Sequence, residues 1–318
     1  MAIIEVLPES SGGINGVVNA TTTMPGDVIV VECGVYHESI TVPASKSNIR
    51  IVAKHKHCAI LDGDNTLSTA FTLDGTTGVE INGFVIRNYT DYGINLTGPG
   101  GNNRIVENQI KDIMNGPGIA TAGTGQPVLN SGNLFWKNYV KRTGSDGIYL
   151  DSDSNWVIEN SLYRNQRFGV VLSRSNNALV NNQISNNANE GIIDLGFNNL
   201  ILYNHISNNG VAGDDALTDT VIIGNSVKRN IGIGIKSSTN DFIANNEVRC
   251  NGQSGVLVLG SFVIIQENEI ENNHNNGIYV LPDSNSTFIF RNDVDDNTPH
   301  QIKDLGTNTV KLQNKIED

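Results

Sequence analysis

Cysteine occurs only three times in 318 residues, at positions 33, 58 and 250, too few and too scattered for a disulfide framework. Cys33 and Cys58 could meet on neighbouring turns of the chain, but buried free thiols are the plainer expectation. No apolar run approaches the roughly 20 residues of a membrane span. Met1-Ala2-Ile3-Ile4 runs straight into Glu5, which does not read as a signal peptide; either the protein is intracellular or a leader has been trimmed, and the compartment stays open. Basic residues are outnumbered 21 to 33, for a net charge of -12, so nucleic acid is not an expected partner. Long amphipathic runs are missing too. Apolar residues come in groups of about four or five, too short for helices and right for strands.

What the sequence does have is asparagine at a fixed interval. It returns at 138, 160, 182, 204, 225, 246, 268, 292 and 314, with steps of 21 to 24. The wording around it repeats, as in Val157-Ile158-Glu159-Asn160-Ser161-Leu162 and Ile243-Ala244-Asn245-Asn246-Glu247-Val248. Nine residues after many of these asparagines, glycine opens a second apolar group: Gly147-Ile148-Tyr149-Leu150, Gly169-Val170-Val171-Leu172, Gly277-Ile278-Tyr279-Val280. A period near 22 with three short β-branched runs is the signature of a solenoid that makes one coil per repeat. The uniform repeat and the 38% hydrophobic content argue for one long, thin core rather than two domains.

This pattern resembles the right-handed parallel β-helix of pectin-lyase-like proteins, in particular the Asn-rich carbohydrate-binding and sugar-hydrolase repeats also seen in NosD-like proteins. The resemblance spans roughly residues 26 to 316, with Pro25 to Pro43 (PGDVIVVECGVYHESITVP) similar to the usual first coil of such chains. It implies an all-β, single-stranded right-handed parallel β-helix. It does not by itself imply an activity, because one coil type carries lyases, hydrolases, epimerases, tailspikes and non-enzymes.

Residues 1 to 25 read as an N-terminal cap, with Ile14, Val17 and Val18 at helical spacing; the β-helix then occupies 26 to 318. Asp27 to Val31, Ser39 to Val42 and Ser47 to Val52 are expected strands. His55 and His57, on what reads as one strand face, suit a metal, but no carboxylate or third histidine lies nearby, so the expectation is no site. Asn108 to Asn138 is eight residues longer than a standard coil, and the surplus in 114 to 132, rich in Gly, Pro and Thr, predicts a projecting loop.

Within a coil, the Gly-Ile-x-Leu group is taken as the first strand, the apolar run before the asparagine as the second, and the residues after it as the third. The asparagine is expected at the tight turn between second and third strands, in the left-handed conformation it tolerates, its amide stacked on those about 4.8 Å above and below. The third strand alternates: Leu162, Ile184, Ile206, Val227, Val248 and Ile270 inward, Ser161, Gln183, His205, Ser226, Glu247 and Glu269 outward. The second strand does not alternate. Trp156-Val157-Ile158, Leu200-Ile201-Leu202 and Phe288-Ile289-Phe290 must turn an apolar column outward, which predicts association with another subunit or partner, the other reading being cover by a loop of the same chain, for which only 114 to 132 is long enough; the resemblance implies a homo-oligomer, a trimer above others.

In pectin-lyase-like enzymes the substrate groove follows the first strand and the turn before it. The 22-residue step would set Asp146, Phe168 and Glu190 in one column, the two carboxylates roughly 9.6 Å apart, near the upper limit for the acid and base of an inverting glycosidase. Between 137 and 174 lie six basic residues, Lys137, Lys141, Arg142, Arg164, Arg167 and Arg174, against four acids, Asp146, Asp151, Asp153 and Glu159, a local attraction for an anionic glycan. Arg142 and Arg164 are one coil apart and should stack. Asn165-Gln166-Arg167-Phe168-Gly169 resembles the Asn-x-Arg-x-Gly run of alginate epimerases, which implies Arg167 as a catalytic arginine, although their Asp-Pro-His-Glu run is missing. For a lyase or epimerase, Tyr149 would exchange the C5 proton while Arg167 neutralises the carboxylate. The catalytic candidates are therefore Asp146, Tyr149, Arg167 and Glu190, and the substrate-contact candidates Arg142, Asp151, Arg164, Arg174 and Tyr279.

Gly213-Asp214-Asp215 invites comparison with the paired aspartates of polygalacturonases, but the spacing from Asp146 is too long and their Gly-His-Gly and Arg-Ile-Lys runs are absent. Asp214, Asp215 and Asp219 interrupt the apolar first-strand pattern; clustered carboxylates suit calcium, and a solvated bulge is the plainer expectation. The leading reading is an enzyme acting on an acidic, uronate-containing polysaccharide by lyase, C5-epimerase or hydrolase chemistry. The alternative is a non-catalytic oligomeric scaffold or carbohydrate-binding module.

Overall fold

The computed structural model describes residues 1–122, 130–210 and 213–317. Two compact units divide the chain, Met1–Gln166 and Arg167–Asp318, and each is a parallel β-solenoid whose coils contribute one short strand to each of three sheets. In the first unit the second-strand sheet runs from Ile3–Val6 to Trp156–Ile158, the third-strand sheet from Gly34–Tyr36 to Ser161–Tyr163, and the first-strand sheet from Ile40–Pro43 to Ile148–Leu150. In the second unit the three sheets begin at Ala178–Val180, Gln183–Ser185 and Val170–Leu172 and end at Val310–Leu312, Lys315–Glu317 and His300–Asp304. Among the described residues no helix is long and apolar enough to cross a membrane.

The three-strand coil follows the sequence reading closely. Every residue expected to point inward from the third strand, Leu162, Ile184, Ile206, Val227, Val248 and Ile270, is fully buried, and His205 on the opposite face is exposed. In the second strand the middle residue is the buried one, as with Val157, Ile201 and Ile289. Both flanking columns therefore face outward, since successive side chains alternate.

The N-terminal segment holds more than a cap. The helix Gly13–Asn19 buries Ile14 and Val18, while Val17 is only half-buried. Its first amides, on Ile14 and Asn15, donate to the Glu38 carboxylate at 2.9 Å each, so a residue from the first coil satisfies groups that the helix leaves unpaired. Before it, Ile3–Val6 forms a strand paired with Val28–Val31. Of the stretch 114 to 132, expected as a loop, Ile119–Thr121 is a buried strand of the first-strand sheet and Asn130–Ser131 pairs with Gly100–Gly101; residues 123–129 lie outside the described residues.

Two expectations are corrected. Cys33 and Cys58 are joined in a disulfide, not buried as free thiols. They precede the paired residues Gly34 and Ala59, so the parallel register sets them at the same corner of adjacent coils, with Cα atoms 4.6 Å apart. The second correction concerns the asparagine ladder. The left-handed residue is the one before each ladder asparagine: Lys137, Glu159, Asn181, Tyr203, Asn245, Glu267, Arg291 and Gln313 all have φ between 53° and 56°. The asparagine itself is buried because its side chain turns inward and ties successive coils together. Asn246 shows the pattern: Oδ1 accepts from Asn225 N at 2.8 Å and Asn225 Nδ2 at 3.0 Å, while Nδ2 donates to Ile222 O at 2.8 Å and Asn268 Oδ1 at 2.9 Å.

Similar ladders occupy the other two corners. In the second unit Asn187, Asn209, Asn230, Asn251, Asn273 and Asn297 link Nδ2 to Oδ1 at the corner between third and first strands. This ladder explains the recurrent glycine. A Cβ on Gly255 would meet Asn273 Nδ2 at 2.7 Å and Gly277 O at 2.8 Å, so the close approach of the corner amide leaves no room for any side chain. In the first unit Asn103, Asn133 and Asn155 line the corner between first and second strands.

Candidate functional site

In the first unit the outward row of the first-strand sheet reads, in register, Thr41, Thr72, Asn95, Ala120 and Tyr149. A groove of about 480 Å³ lies on this face, lined by Thr41, Thr72, Asp74, Tyr92, Asn95 and Thr97 among others. Its polar groups are the hydroxyls of three threonines and Tyr92, the Asn95 amide and the Asp74 carboxylate. Asn95 Oδ1 is buried and has no hydrogen-bond partner in the structure, and an acceptor in that state calls for a donor from outside.

Tyr149 is half-buried on this row. Asp146 lies in the turn before it and is 2% exposed. Its carbonyl accepts from Gly118 N at 3.1 Å and Thr143 Oγ1 at 3.0 Å, and Ser145 Oγ lies 3.2 Å from its Oδ2. Arg142 is committed to Asp112 through two parallel bonds of 2.6 and 2.8 Å, which hold the Asp112 pKa below the usual carboxylate range. Arg164 stands one coil from Arg142, as expected, since Lys141 pairs with Tyr163, and its guanidinium covers the Tyr163 ring at 4.8 Å. Asp151 is half-buried, with its amide bound to Thr121.

In the second unit Phe168 and Glu190 are one coil apart: Gly169 N donates to Glu190 O, and Val170 pairs with Ile192. Glu190 and Arg174 are half-buried and Arg167 is exposed, its guanidinium 4.8 Å over the Phe168 ring. The outward row reads Val171 and Ile193 and then, past the strand whose side chains at 214–217 lie outside the described residues, Lys236, Leu257, Tyr279 and Lys303 by backbone register. Lys303 Nζ sits 4.7 Å over the Tyr279 ring, so this substrate-contact candidate lies beside a cation.

The metal candidates read differently. Asp214–Thr218 is a strand paired with Ile192–Phe197, with a register shift between Asp194 and Phe197, but the side chains of Asp214 and Asp215 lie outside the described residues; Asp219 is a left-handed corner residue that accepts from Asn240 Nδ2 at 3.0 Å. Among the described residues no three His, Cys, Asp or Glu side chains converge as a metal set. His55 and His57 fall in a turn rather than a strand, with His57 Nε2 2.8 Å from Glu107 O.

Sequence reading missed a buried acid pair in the second unit. Asp194 Oδ2 accepts from Thr220 Oγ1 at 2.8 Å and its Oδ1 from Gly196 N at 3.0 Å. Asp241 takes a ladder position, accepting from Thr220 N at 2.9 Å, with Ser237 Oγ and Ser238 N on its other oxygen. Burial pushes the Asp194 pKa up to about 6 and raises that of Asp241 as well. The signal was available: Asp194 sits where neighbouring coils carry Leu172 and Ala216, and Asp241 where they carry Thr220 and Val263.

The comparisons with known proteins bear on the fold. The model of the family described as "Right handed beta helix region" matches residues 128–219 and 211–318, more than half the chain. The chain belongs to this right-handed β-helix family. No curated protein sequence matches it. Among solved structures, this β-helix is similar to the A-module of the mannuronan C-5 epimerase AlgE6 of Azotobacter vinelandii, at TM-score 0.77 and 14% identity over 96% of this chain and 94% of that one. It is also similar to a mannuronic acid specific polysaccharide family 6 lyase from human gut microbiota, at TM-score 0.72 and 14% identity over 100% and 83% of the two chains. A third similar structure is the Dettilon tailspike protein, at TM-score 0.56 and 12% identity over 98% and 68%. At such identities the likeness establishes the fold.

Proposed function

We propose that this right-handed β-helix protein acts on an acidic, uronate-containing polysaccharide by lyase or C5-epimerase chemistry. The observation that carries the reading is the hydroxyl- and amide-lined groove on the first-strand face, with the unpartnered Asn95 Oδ1 in it. A sugar hydroxyl is the natural donor for that oxygen. The Tyr279 and Lys303 pair on the corresponding face of the second unit supplies an aromatic surface and a cation, both suited to an anionic glycan. Similarity to an epimerase module and a lyase, each named for mannuronate polymers, supports the substrate class.

In this reading Tyr149, on the outward row of the first unit, takes the C5 proton, and the exposed guanidinium of Arg167 is the second unit's own candidate for neutralising a uronate carboxylate. Hydrolase chemistry by Asp146 and Glu190 is less well supported, because a general acid must reach the glycosidic oxygen and Asp146 is 2% exposed. The test is turnover of a polyuronate panel, following epimerisation by proton NMR and elimination by absorbance of the unsaturated product. Tyr149→Phe and Arg167→Ala are each expected to lower turnover at least tenfold with unchanged circular dichroism. Full activity in both variants, or wild-type turnover of none of the polymers, would sink the reading.

One observation favours the scaffold alternative. In the second unit the outward columns of the second-strand sheet, from Ala178 and Val180 to Val310 and Leu312, contain a single polar residue, Gln266, and Phe288 and Leu312 are 44% and 59% exposed. A second copy of this chain is the partner we propose for the face, because the strand ridges, repeating every 4.8 Å or so, are complementary to themselves. Light scattering is expected to give an oligomer, and Leu202→Glu to shift it toward monomer; a monomeric wild type at all concentrations removes this reading.

A further inference from the structure

The outward face of the second-strand sheet changes character along the first unit. From Leu134 onward it is apolar, but in the preceding strands one row reads Arg50, Glu80, Arg104 and its neighbour Val52, Asn82, Val106, Trp136. A groove of about 620 Å³ opens over these residues, within the range of small-ligand sites. At its floor Glu80 is 5% exposed, with Arg50 Nη2 3.1 Å from Oε1, Arg104 Nε 3.6 Å from Oε2, and Asn82 Nδ2 3.0 Å from Oε1. Burial raises the pKa of Glu80, but the bonds from Asn82 and Arg50 and the charges of the two arginines outweigh it, so the carboxyl titrates below its ordinary value.

An ionised Glu80 offsets one of two guanidiniums, and Glu107 at the groove wall is neutralised by Lys56, which reaches it from outside the lining. With Lys56 counted, three cations face two carboxylates, so the groove and its rim keep one excess positive charge on a protein of net charge -12. Arg50 and Arg104 are each 53% exposed and each meets Glu80 through one nitrogen, which leaves the rest of each planar fork for an oxyanion. Trp136 forms the adjacent wall, oriented by Lys137 Nζ 4.5 Å over its ring. An indole surface beside two guanidinium forks fits a ligand with both apolar C–H faces and carboxylates. With strands about 4.8 Å apart, each strand step is close to one glycosyl residue, so Arg50 and Arg104, two strands apart, are set for groups about two residues apart.

We propose that this groove is a binding site for an acidic oligosaccharide, separate from the first-strand face. The ligand class rests on the polyuronate reading above; the site does not depend on any turnover. Only two tryptophans occur in the chain, Trp136 and Trp156, so Trp156→Phe leaves Trp136 as sole reporter. On that background, titration with an oligomannuronate is expected to shift Trp136 emission saturably. Arg104→Ala should weaken binding at least tenfold without loss of circular dichroism, and a neutral cello-oligosaccharide should bind at least tenfold more weakly than the uronate. Tyr149→Phe and Arg167→Ala should leave the Trp136 signal intact, whether or not they lose turnover. The inference is overturned if calorimetric binding leaves Trp136 emission unchanged, if Arg104→Ala or the neutral sugar binds as well as its counterpart, if the first-strand variants abolish the signal, or if no oligouronate binds.

Discussion

Asn246→Leu is expected to destabilise the protein by about 4 kcal/mol, the sum of several polar groups left unpaired at roughly 1–3 kcal/mol each. Asn246 is 2% exposed, and its amide serves Asn225 N, Asn225 Nδ2, Ile222 O and Asn268 Oδ1. Leucine is close in volume but answers none of them, and in so buried a setting an unpaired polar group is costly. By contrast, Asn245→Gly, one residue earlier, should be close to neutral. That residue is exposed and holds φ of 54°, a conformation glycine takes without strain. Denaturant titration of both variants checks the pair. Equal effects at the two positions would mean that the ladder amide contributes nothing special.

The second large effect concerns pH. Asp194 is fully buried and burial lifts its pKa from 3.8 to about 6, so the fold favours its neutral form. The contribution is fully present below pH 4, where folded and unfolded chains are both protonated, and is lost as pH rises through 6. A shift of about two units corresponds to roughly 3 kcal/mol, so Asp194→Asn should be more stable than wild type at pH 8 by up to that amount and indistinguishable at pH 4. The amide can be accommodated. Oδ1 keeps Gly196 N, while Nδ2 donates to Thr220 Oγ1, whose proton turns to Thr218 O at 3.3 Å. Asp241→Asn should bring no such gain, because both Asp241 oxygens face backbone amides, Thr220 N and Ser238 N, and an amide nitrogen would oppose one of them. Thermal unfolding across pH 4 to 8 separates the two variants; a stability gain for Asp194→Asn that is independent of pH would refute the assignment.

The solenoid was legible because its cause is local and repeated. A run such as Trp156-Val157-Ile158 cannot fill a helix, and nine asparagines in near-constant step leave a coil of fixed circumference as the arrangement that stacks them. The disulfide was not legible in the same way. Cys33 and Cys58 are 25 residues apart, and only the pairing of Gly34 with Ala59 decides that they share a corner. The groove over Glu80 escaped for a related reason: the coils of the first unit vary in length, so Arg50, Glu80 and Arg104 do not fall at a constant interval and their alignment emerges only from strand register.

From its own letters the chain established a parallel β-solenoid, the order of its three strands, the inward column of the third strand and the apolar outer face of the second. Periodicity transmits those properties, since each is repeated in coil after coil. Tertiary structure alone decided that the left-handed corner belongs to the residue before each asparagine, that Arg142 is spent on Asp112, and that an acid with two arginines beside a tryptophan forms a groove. Those outcomes depend on which side chains adjacent coils bring within hydrogen-bonding distance, and no single repeat contains both partners.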